Sequence, residues 1–160
     1  MSVWAALTGG FVGTLVLTTT LRMASELRLT RIDLPFLLGT AFVADRKQAK
    51  LLGYILHFFF GFSFAMGYLV IFSAIGRAGW LLGAALGVLH GAFAGTVLVN
   101  LMLPLVHPRM GDPTTSAERG ALLEPPGFMM LSYGRSTPVV TLVAHIAYGA
   151  IVGGFIAIAA

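Results

Sequence analysis

Three of the four histidines, His57, His90 and His145, lie inside long apolar stretches of the sequence. Ionisable side chains are costly in a membrane and normally face the protein interior, so these three are the first candidates for a site. At about 1.5 Å of helical rise per residue, His57 lies roughly 9 Å and His145 roughly 5 Å from the midpoint of its stretch toward one side. His90 lies roughly 4 Å toward the other side. We therefore expect His57 and His145 to pair, with His90 in reach only if a helix tilts.

The histidines predict alternative kinds of chemistry. His57 and His145 are each followed four residues later by glycine, and two imidazoles with space for a flat macrocycle are what haem b requires. The same histidines could instead ligate a metal ion, with His90, Asp33 or His107 as further ligands. A third interpretation is structural, with neutral imidazoles hydrogen-bonded to neighbouring hydroxyls or carbonyls. A proton relay is a fourth.

No other constellation in the sequence predicts catalysis. The chain has no cysteine, so thiolate metal sites and redox thiols are excluded. It has no G-x-S-x-G nucleophile motif and no phosphate-binding G-K-[ST] motif. All six acidic residues lie outside the apolar stretches. The pattern leans against an enzyme and against a proton-driven transporter.

The elements that must position the histidines are four apolar stretches. Of the 160 residues, 58% are hydrophobic and 10% are charged, whereas about a quarter of the residues in a soluble domain are charged. The sequence predicts an all-α membrane protein, a four-transmembrane-helix bundle that forms a single domain. The predicted spans are 4–21, 51–75, 80–105 and 138–159.

Small and polar residues predict how these helices pack. Glycines at four-residue spacing share one helix face, where neighbouring backbones approach closely, as in a glycine zipper. Thr18 and Asn100, at matching depth in the first and third spans, predict a hydrogen-bonded polar patch. The glycines predicted to pack helices together are Gly9, Gly13, Gly83, Gly87, Gly91, Gly95, Gly149 and Gly153.

The two halves of the chain are similar. Residues 7–14 align with residues 89–96 at an offset of 82, and residues 57–65 align with residues 145–153 at an offset of 88. These offsets predict two helical hairpins related by duplication in parallel orientation.

Each predicted hairpin contains a long connection with a short apolar segment, residues 31–42 and 127–134. Both segments are too short to span a bilayer, so we expect them to lie at the membrane interface. Asp33, followed by Pro35, predicts the start of a short helix in the first connection. Residues 115–118 have the form of a capping box in the second.

The basic residues predict the topology. Six of the ten Lys and Arg lie between the first two spans and three between the last two, whereas Arg77 alone lies between the second and third. The positive-inside rule places both long loops in the cytoplasm and both termini outside, in a prokaryotic inner membrane. The charges form no concentrated basic face, so no nucleic acid is expected as a partner. The predicted partners are the lipid bilayer and other membrane subunits or further copies of the chain.

The order of these motifs resembles a family of small four-helix bacterial and archaeal membrane proteins catalogued only as a domain of unknown function. The resemblance implies that Asp33, His57, His90 and His145 matter together, and it implies no activity. The matching segments are DLPFLLG at 33–39, HFFFGFSFAMGY at 57–68, GxxxGxxHG at 83–91, MLP at 102–104 and HIAYGAIVGG at 145–154.

The sequence favours a non-catalytic function. We expect an accessory or assembly subunit that packs against a larger respiratory or photosynthetic complex, or against itself, because the small-residue surface exceeds what four helices need. The first alternative is a haem- or metal-binding redox subunit ligated by His57 and His145, with His90 as an alternative ligand. The second is a small transporter or a lipid- or quinone-binding protein, for which we expect a cavity between the hairpins.

Overall fold

The computed structural model of the chain describes residues 1–110 and 123–159. Within these residues, four helices are long and apolar enough to cross a membrane. The prediction of an all-α protein with four such helices is therefore confirmed. The predicted capping box at residues 115–118 lies outside the described residues. The four helices are Val3–Glu26, Arg46–Ile75, Trp80–Val106 and Thr137–Ile158.

The third spanning helix, Trp80–Val106, changes its hydrogen-bonding register, because its residues Ala94–Met102 form a π-helical segment.

We call the end of the bundle with the two long connections the loop end, and the end with residues 76–79 the turn end. In chain order the helices are α1 (Val3–Glu26), α2 (Leu34–Gly39), α3 (Arg46–Ile75), α4 (Trp80–Phe93), the π segment (Ala94–Met102), α5 (Leu103–Val106), a 3₁₀ helix (Phe128–Tyr133) and α6 (Thr137–Ile158).

Helix α3 begins five residues before its apolar stretch. The Asp45 carboxylate accepts hydrogen bonds from the backbone N–H groups of Lys47 at 3.1 Å and Gln48 at 3.0 Å. This cap satisfies donors that have no partner within the helix, so the polar residues 46–50 form helical turns instead of an extended flank. Gly76 ends the helix in the left-handed conformation, with φ of +71°.

Helix α1 lies between α3 and α6 because two of its faces carry small residues. Gly9 and Gly13 face α6, and a Cβ on Gly13 would lie 2.9 Å from the Tyr148 ring. One residue further along the chain, Thr14 faces α3, where a Cβ on Gly61 would overlap with Thr14 Oγ1. Side chains at these glycines would separate the helices.

Helices α4 and α6 approach each other at their backbones. A Cβ on Gly83 would clash with the carbonyl oxygen of Gly149, and a Cβ on Gly149 would clash with that of Gly83. Gly87 lies equally close to the α6 backbone. In the π segment, Gly95 instead faces the 3₁₀ helix, where a Cβ would lie 3.0 Å from the Met129 sulfur.

The first long connection folds back onto α3. Asp33 caps α2 by accepting a hydrogen bond from the Phe36 N–H at 3.2 Å. Helix α2 then packs against α3, so closely that a Cβ on Gly53 would clash with the Pro35 carbonyl oxygen. The placement of this connection at the membrane interface and the duplication of the hairpins both stay predictions.

Candidate functional site

A pocket of about 350 Å³ lies at the loop end, between α1, α2 and α3. Its wall includes the last turns of α1, the start of α2 and the first turns of α3. Charged side chains line the part nearest the connections. Further into the bundle lie Thr18, about one helical turn from Arg22, and His57, about two turns from Lys50. Asp33 and His57, both singled out in the sequence, thus line the same pocket. The charged lining residues are Arg22, Glu26, Asp33 and Lys50.

The hydrogen bonds around His57 fix its tautomer. Thr18 Oγ1 donates to the carbonyl oxygen of Thr14 at 2.7 Å and lies 3.1 Å from His57 Nδ1. A hydroxyl has one hydrogen, so His57 Nδ1 must be the donor to Thr18 and Nε2 carries no proton in the neutral ring. His57 is 8% exposed. The His57 ring lines the pocket, and its Nε2 atom is a hydrogen-bond acceptor.

The charged residues of the pocket form two ion pairs. Lys50 Nζ lies 2.6 Å from Asp33 Oδ2, and Arg22 Nε lies 3.1 Å from Glu26 Oε1. Two cations and two carboxylates give this part of the wall no net charge. All four side chains are more than a third exposed, so each pair contributes little to stability.

Most of this pocket has no signal in the sequence. Arg22 and Glu26 are four residues apart and therefore share one face at the end of α1, which is a usable signal. Nothing in the sequence indicates that Asp33 and Lys50 meet, because their contact depends on how α2 folds back onto α3. Tyr54, a further lining residue, gave no signal beyond its aromatic character.

A second pocket of about 230 Å³ lies beside the first, between the two long connections. Arg31 Nη2 lies 3.4 Å from Glu124 Oε2, and the Tyr133 hydroxyl donates to the Glu124 carbonyl oxygen at 2.8 Å. Burial, reinforced by the Glu124 carboxylate, raises the pKa of Tyr133 to about 12. Tyr133 is therefore a neutral donor that ties the 3₁₀ helix to residue 124.

The other two membrane histidines lie together deeper in the bundle. The rings of His90 and His145 are 4.7 Å apart between centroids. The Phe64 ring lies 3.9 Å from that of His90 and tilted by 33°. His145 Nδ1 lies 2.8 Å from the Thr141 carbonyl oxygen. Because a carbonyl only accepts, Nδ1 carries the proton of His145.

The ring of His90 thus lies against His145, although His90 was expected to be in reach only if a helix tilts. The pairing of His57 with His145 stays a prediction. Helix α3 has 30 residues and is about 45 Å long, which exceeds a hydrocarbon core of about 30 Å. This length leaves room for tilt, and in a tilted helix the midpoint of the apolar stretch does not give depth.

The contact between His90 and Tyr68 contains buried polar atoms without a hydrogen-bond partner. Among the described residues, Tyr68 Oη and His90 Nδ1 are buried without a hydrogen-bond partner, as is Thr141 Oγ1. The Tyr68 and His90 rings are 6.0 Å apart between centroids. Tyr148, which also packs on His90 at 5.5 Å, donates its hydroxyl to the Gly61 carbonyl oxygen at 2.6 Å.

A haem between His57 and His145 does not fit this arrangement. The haem prediction expects Gly61 and Gly149, four residues after each histidine, to leave space for the macrocycle. In the structure the space beside Gly61 holds Thr14 Oγ1, and the space beside Gly149 holds the α4 backbone at Gly83. These glycines admit neighbouring helices, and a macrocycle at either position would have to displace one.

The predicted metal ligands do not converge. Among residues 1–110 and 123–159, no group of three or more His, Asp or Glu side chains lies close enough to hold a metal ion. Asp33 is occupied by Lys50 and by its capping bond. His107 lies in the second long connection, where it bonds to α2.

His107 and Arg109 join the two long connections. His107 Nε2 donates to the Leu37 carbonyl oxygen at 3.1 Å, and His107 Nδ1 accepts from the Arg109 backbone N–H at 3.1 Å. The Arg109 guanidinium donates to the carbonyl oxygens of Thr40 and Val43. Burial lowers the pKa of His107 below its ordinary value, against the opposing effect of the Leu37 bond. A neutral imidazole thus satisfies carbonyls at the end of α2.

Thr18, which was predicted to form a polar patch with Asn100, uses its hydroxyl in hydrogen bonds with Thr14 and His57. Helix α1 packs chiefly on α3 and α6. The patch with Asn100 stays a prediction.

The chain matches, over residues 1–160, the family model described as Family of unknown function (DUF6789). No curated protein matches the chain, and no solved structure matches it. A function therefore has to come from the geometry of the chain itself.

Proposed function

The chain belongs to this family of unknown function over residues 1–160, and we propose that it is a non-catalytic membrane protein that binds a phospholipid at its loop end. The observation that carries the proposal is the pocket between α1, α2 and α3, which runs from a charged wall to His57. A volume of about 350 Å³ is in the range of small-molecule sites. We further propose the topology that the basic residues predict, with the loop end in the cytoplasm of a prokaryotic cell.

The surroundings of the pocket favour an amphipathic ligand. Exposed apolar side chains flank the charged residues on both helices, with Met23 and Leu27 next to Arg22 and Glu26 on α1, and Leu51 next to Lys50 on α3. Charged groups at the end of a spanning helix lie at the depth of lipid headgroups, and apolar groups beside them contact acyl chains. A phospholipid presents both chemistries in this order.

The same pocket supports binding rather than catalysis. His57 offers a hydrogen-bond acceptor, but Thr18 holds its other nitrogen. No serine or threonine nucleophile paired with a base and an orienting acid is found among the residues that the structure describes along this wall. The polar groups can orient a headgroup, which is what a binding site requires.

The test is to fill the pocket and measure bound lipid. Ser25 lines the wall of α1, so Ser25→Trp should exclude a headgroup, and Ser25→Leu is a smaller second variant. Leu15→Trp is the matched control, because Leu15 is exposed on the same helix and does not line the pocket. Protein extracted in a mild detergent is analysed by native mass spectrometry, with circular dichroism to verify helicity.

We expect the native protein and Leu15→Trp to retain one phospholipid and both Ser25 variants to lose most of it. Equal retention by helical Ser25 and Leu15 variants, or no bound phospholipid on the native protein, would refute the proposal.

The accessory-subunit function stays a hypothesis. It was motivated by small residues in excess of what four helices need; Gly83, Gly87 and Gly149 lie in the contact between α4 and α6 and so do not belong to such a surplus. Sedimentation of the detergent-solubilised protein measures this directly. A monomer would argue against both a larger complex and self-association.

A further inference from the structure

We infer that the pocket between α1, α2 and α3 selects a phospholipid whose headgroup carries both a phosphate and a primary ammonium. This inference rests on the proposed lipid binding and specifies the class of lipid.

The first step is the charge balance of the wall. The pocket contains two cationic and two anionic side chains, Arg22 and Lys50 against Glu26 and Asp33. A net-anionic headgroup would gain from the cations and be repelled by the carboxylates at similar distance. A headgroup that carries one charge of each sign can face both sets at once, so the wall complements a zwitterion.

The second step is that the ion pairs can exchange partners. The Arg22 and Glu26 side chains are 70% and 66% exposed, and those of Lys50 and Asp33 are 41% and 38% exposed. Ion pairs that face water contribute little stability, so opening them for a ligand has a small cost. Arg22 uses Nε in its pair, and its guanidinium also bonds the Tyr54 side chain. A guanidinium has five N–H donors, so it can bind a phosphate beside these partners.

The third step separates a primary ammonium from a trimethylammonium group. A primary ammonium donates three hydrogen bonds, which suit the carboxylates of Glu26 and Asp33. A trimethylammonium group donates none and is normally held by a cage of several aromatic rings. Among the described residues that line this wall, the rings are those of Tyr54 and His57. Two rings do not form an aromatic cage.

The experiment measures headgroup preference. The purified protein is exchanged into mixed micelles that contain equal amounts of phosphatidylethanolamine, phosphatidylglycerol and phosphatidylcholine of the same acyl chains, and bound lipid is counted by native mass spectrometry. We expect phosphatidylethanolamine to be retained up to about fivefold over each of the others, which is the upper end of what one water-facing charge pair contributes.

Two variants assign the preference to the pocket. Glu26→Gln removes one carboxylate without changing its size and should bring the preference for phosphatidylethanolamine over phosphatidylglycerol close to one. Glu124→Gln is the matched control, because Glu124 forms a comparable exposed ion pair with Arg31 at 3.4 Å outside this pocket. It should keep the native preference.

Each contrary result has a distinct meaning. Equal retention of the three lipids, or an identical effect of the two variants, would overturn this inference and leave lipid binding intact. The absence of any bound lipid would overturn both. Displacement of bound lipid by millimolar phosphoethanolamine would identify a soluble ligand of the same chemistry and overturn the assignment to a lipid.

Discussion

The contact between α4 and α6 at Gly83 makes a sharp prediction about stability. In Gly83→Ala the new methyl group would overlap with the Gly149 carbonyl oxygen, which belongs to a helix backbone and cannot rotate away. Overpacking of this kind costs about 1–3 kcal/mol. Replacing glycine by alanine inside a helix returns about 1 kcal/mol through helix propensity. Because the clash is with backbone, we place the cost at the upper end and expect a net destabilisation of about 1–2 kcal/mol.

Gly67 provides the matched control for this substitution. It lies inside α3, where a Cβ would meet nothing within 4 Å. Gly67→Ala therefore gains helix propensity without a clash and should stabilise the protein by up to about 1 kcal/mol. The two variants make the same chemical change in helices of similar apolar character, so they differ only in what the methyl group contacts.

The assay is reversible unfolding in mixed detergent and sodium dodecyl sulfate micelles, followed by circular dichroism. The free energy of unfolding should fall for Gly83→Ala and rise or stay level for Gly67→Ala. If both variants shift the unfolding midpoint in the same direction by the same amount, then α4 and α6 do not touch through their backbones at Gly83, and the packing described above is wrong.

Three further predictions concern single side chains, two through their hydrogen bonds and one through its burial. Thr18→Val leaves the buried N–H of His57 without its acceptor and should lower the free energy of unfolding by about 1–3 kcal/mol. Thr19→Val, at an exposed neighbouring position, should change the free energy of unfolding little. Both are measured in the same unfolding assay. Tyr148→Phe removes a hydroxyl bonded at 2.6 Å to the α3 backbone, and a loss outside about 0.5–1.5 kcal/mol in that assay would contradict the contact. The lowered pKa of His107 means that the unfolded chain binds its proton more readily. Stability from this residue is therefore complete above about pH 6.5 and is lost as the pH falls below it. Midpoints measured from pH 7.5 to 5 should fall more steeply for the native protein than for His107→Gln.

The histidines illustrate how far the sequence alone reaches. Hydropathy identified His57, His90 and His145 as membrane residues that must face the protein interior, and His57 and His145 are buried in the structure. The contact between His90 and His145 was expected only for a tilted helix, because depth along each helix is the one coordinate available from sequence. Rotation and tilt, which bring His90 against His145, depend on which helix faces fit together.

The pocket at the loop end shows the same limit in another form. Asp33 was recognised as the start of a helix, because a cap depends on residues within four positions of each other. Its ion pair with Lys50 depends on the close fit of α2 against Gly53. A contact made by folding one element back onto another has no local pattern in the sequence.

The sequence by itself determined that the chain forms four apolar helices long enough to cross a membrane, and that imidazoles lie inside the bundle. Hydrophobicity and capping are properties of short segments, so they can be recognised without the tertiary structure. Tertiary structure decided that α1 lies between α3 and α6, that His145 faces His90, and that charged residues from three helices enclose one pocket. The physical reason is that helix tilt and rotation minimise the distance between complementary faces, here the positions where glycine leaves room for a neighbouring backbone.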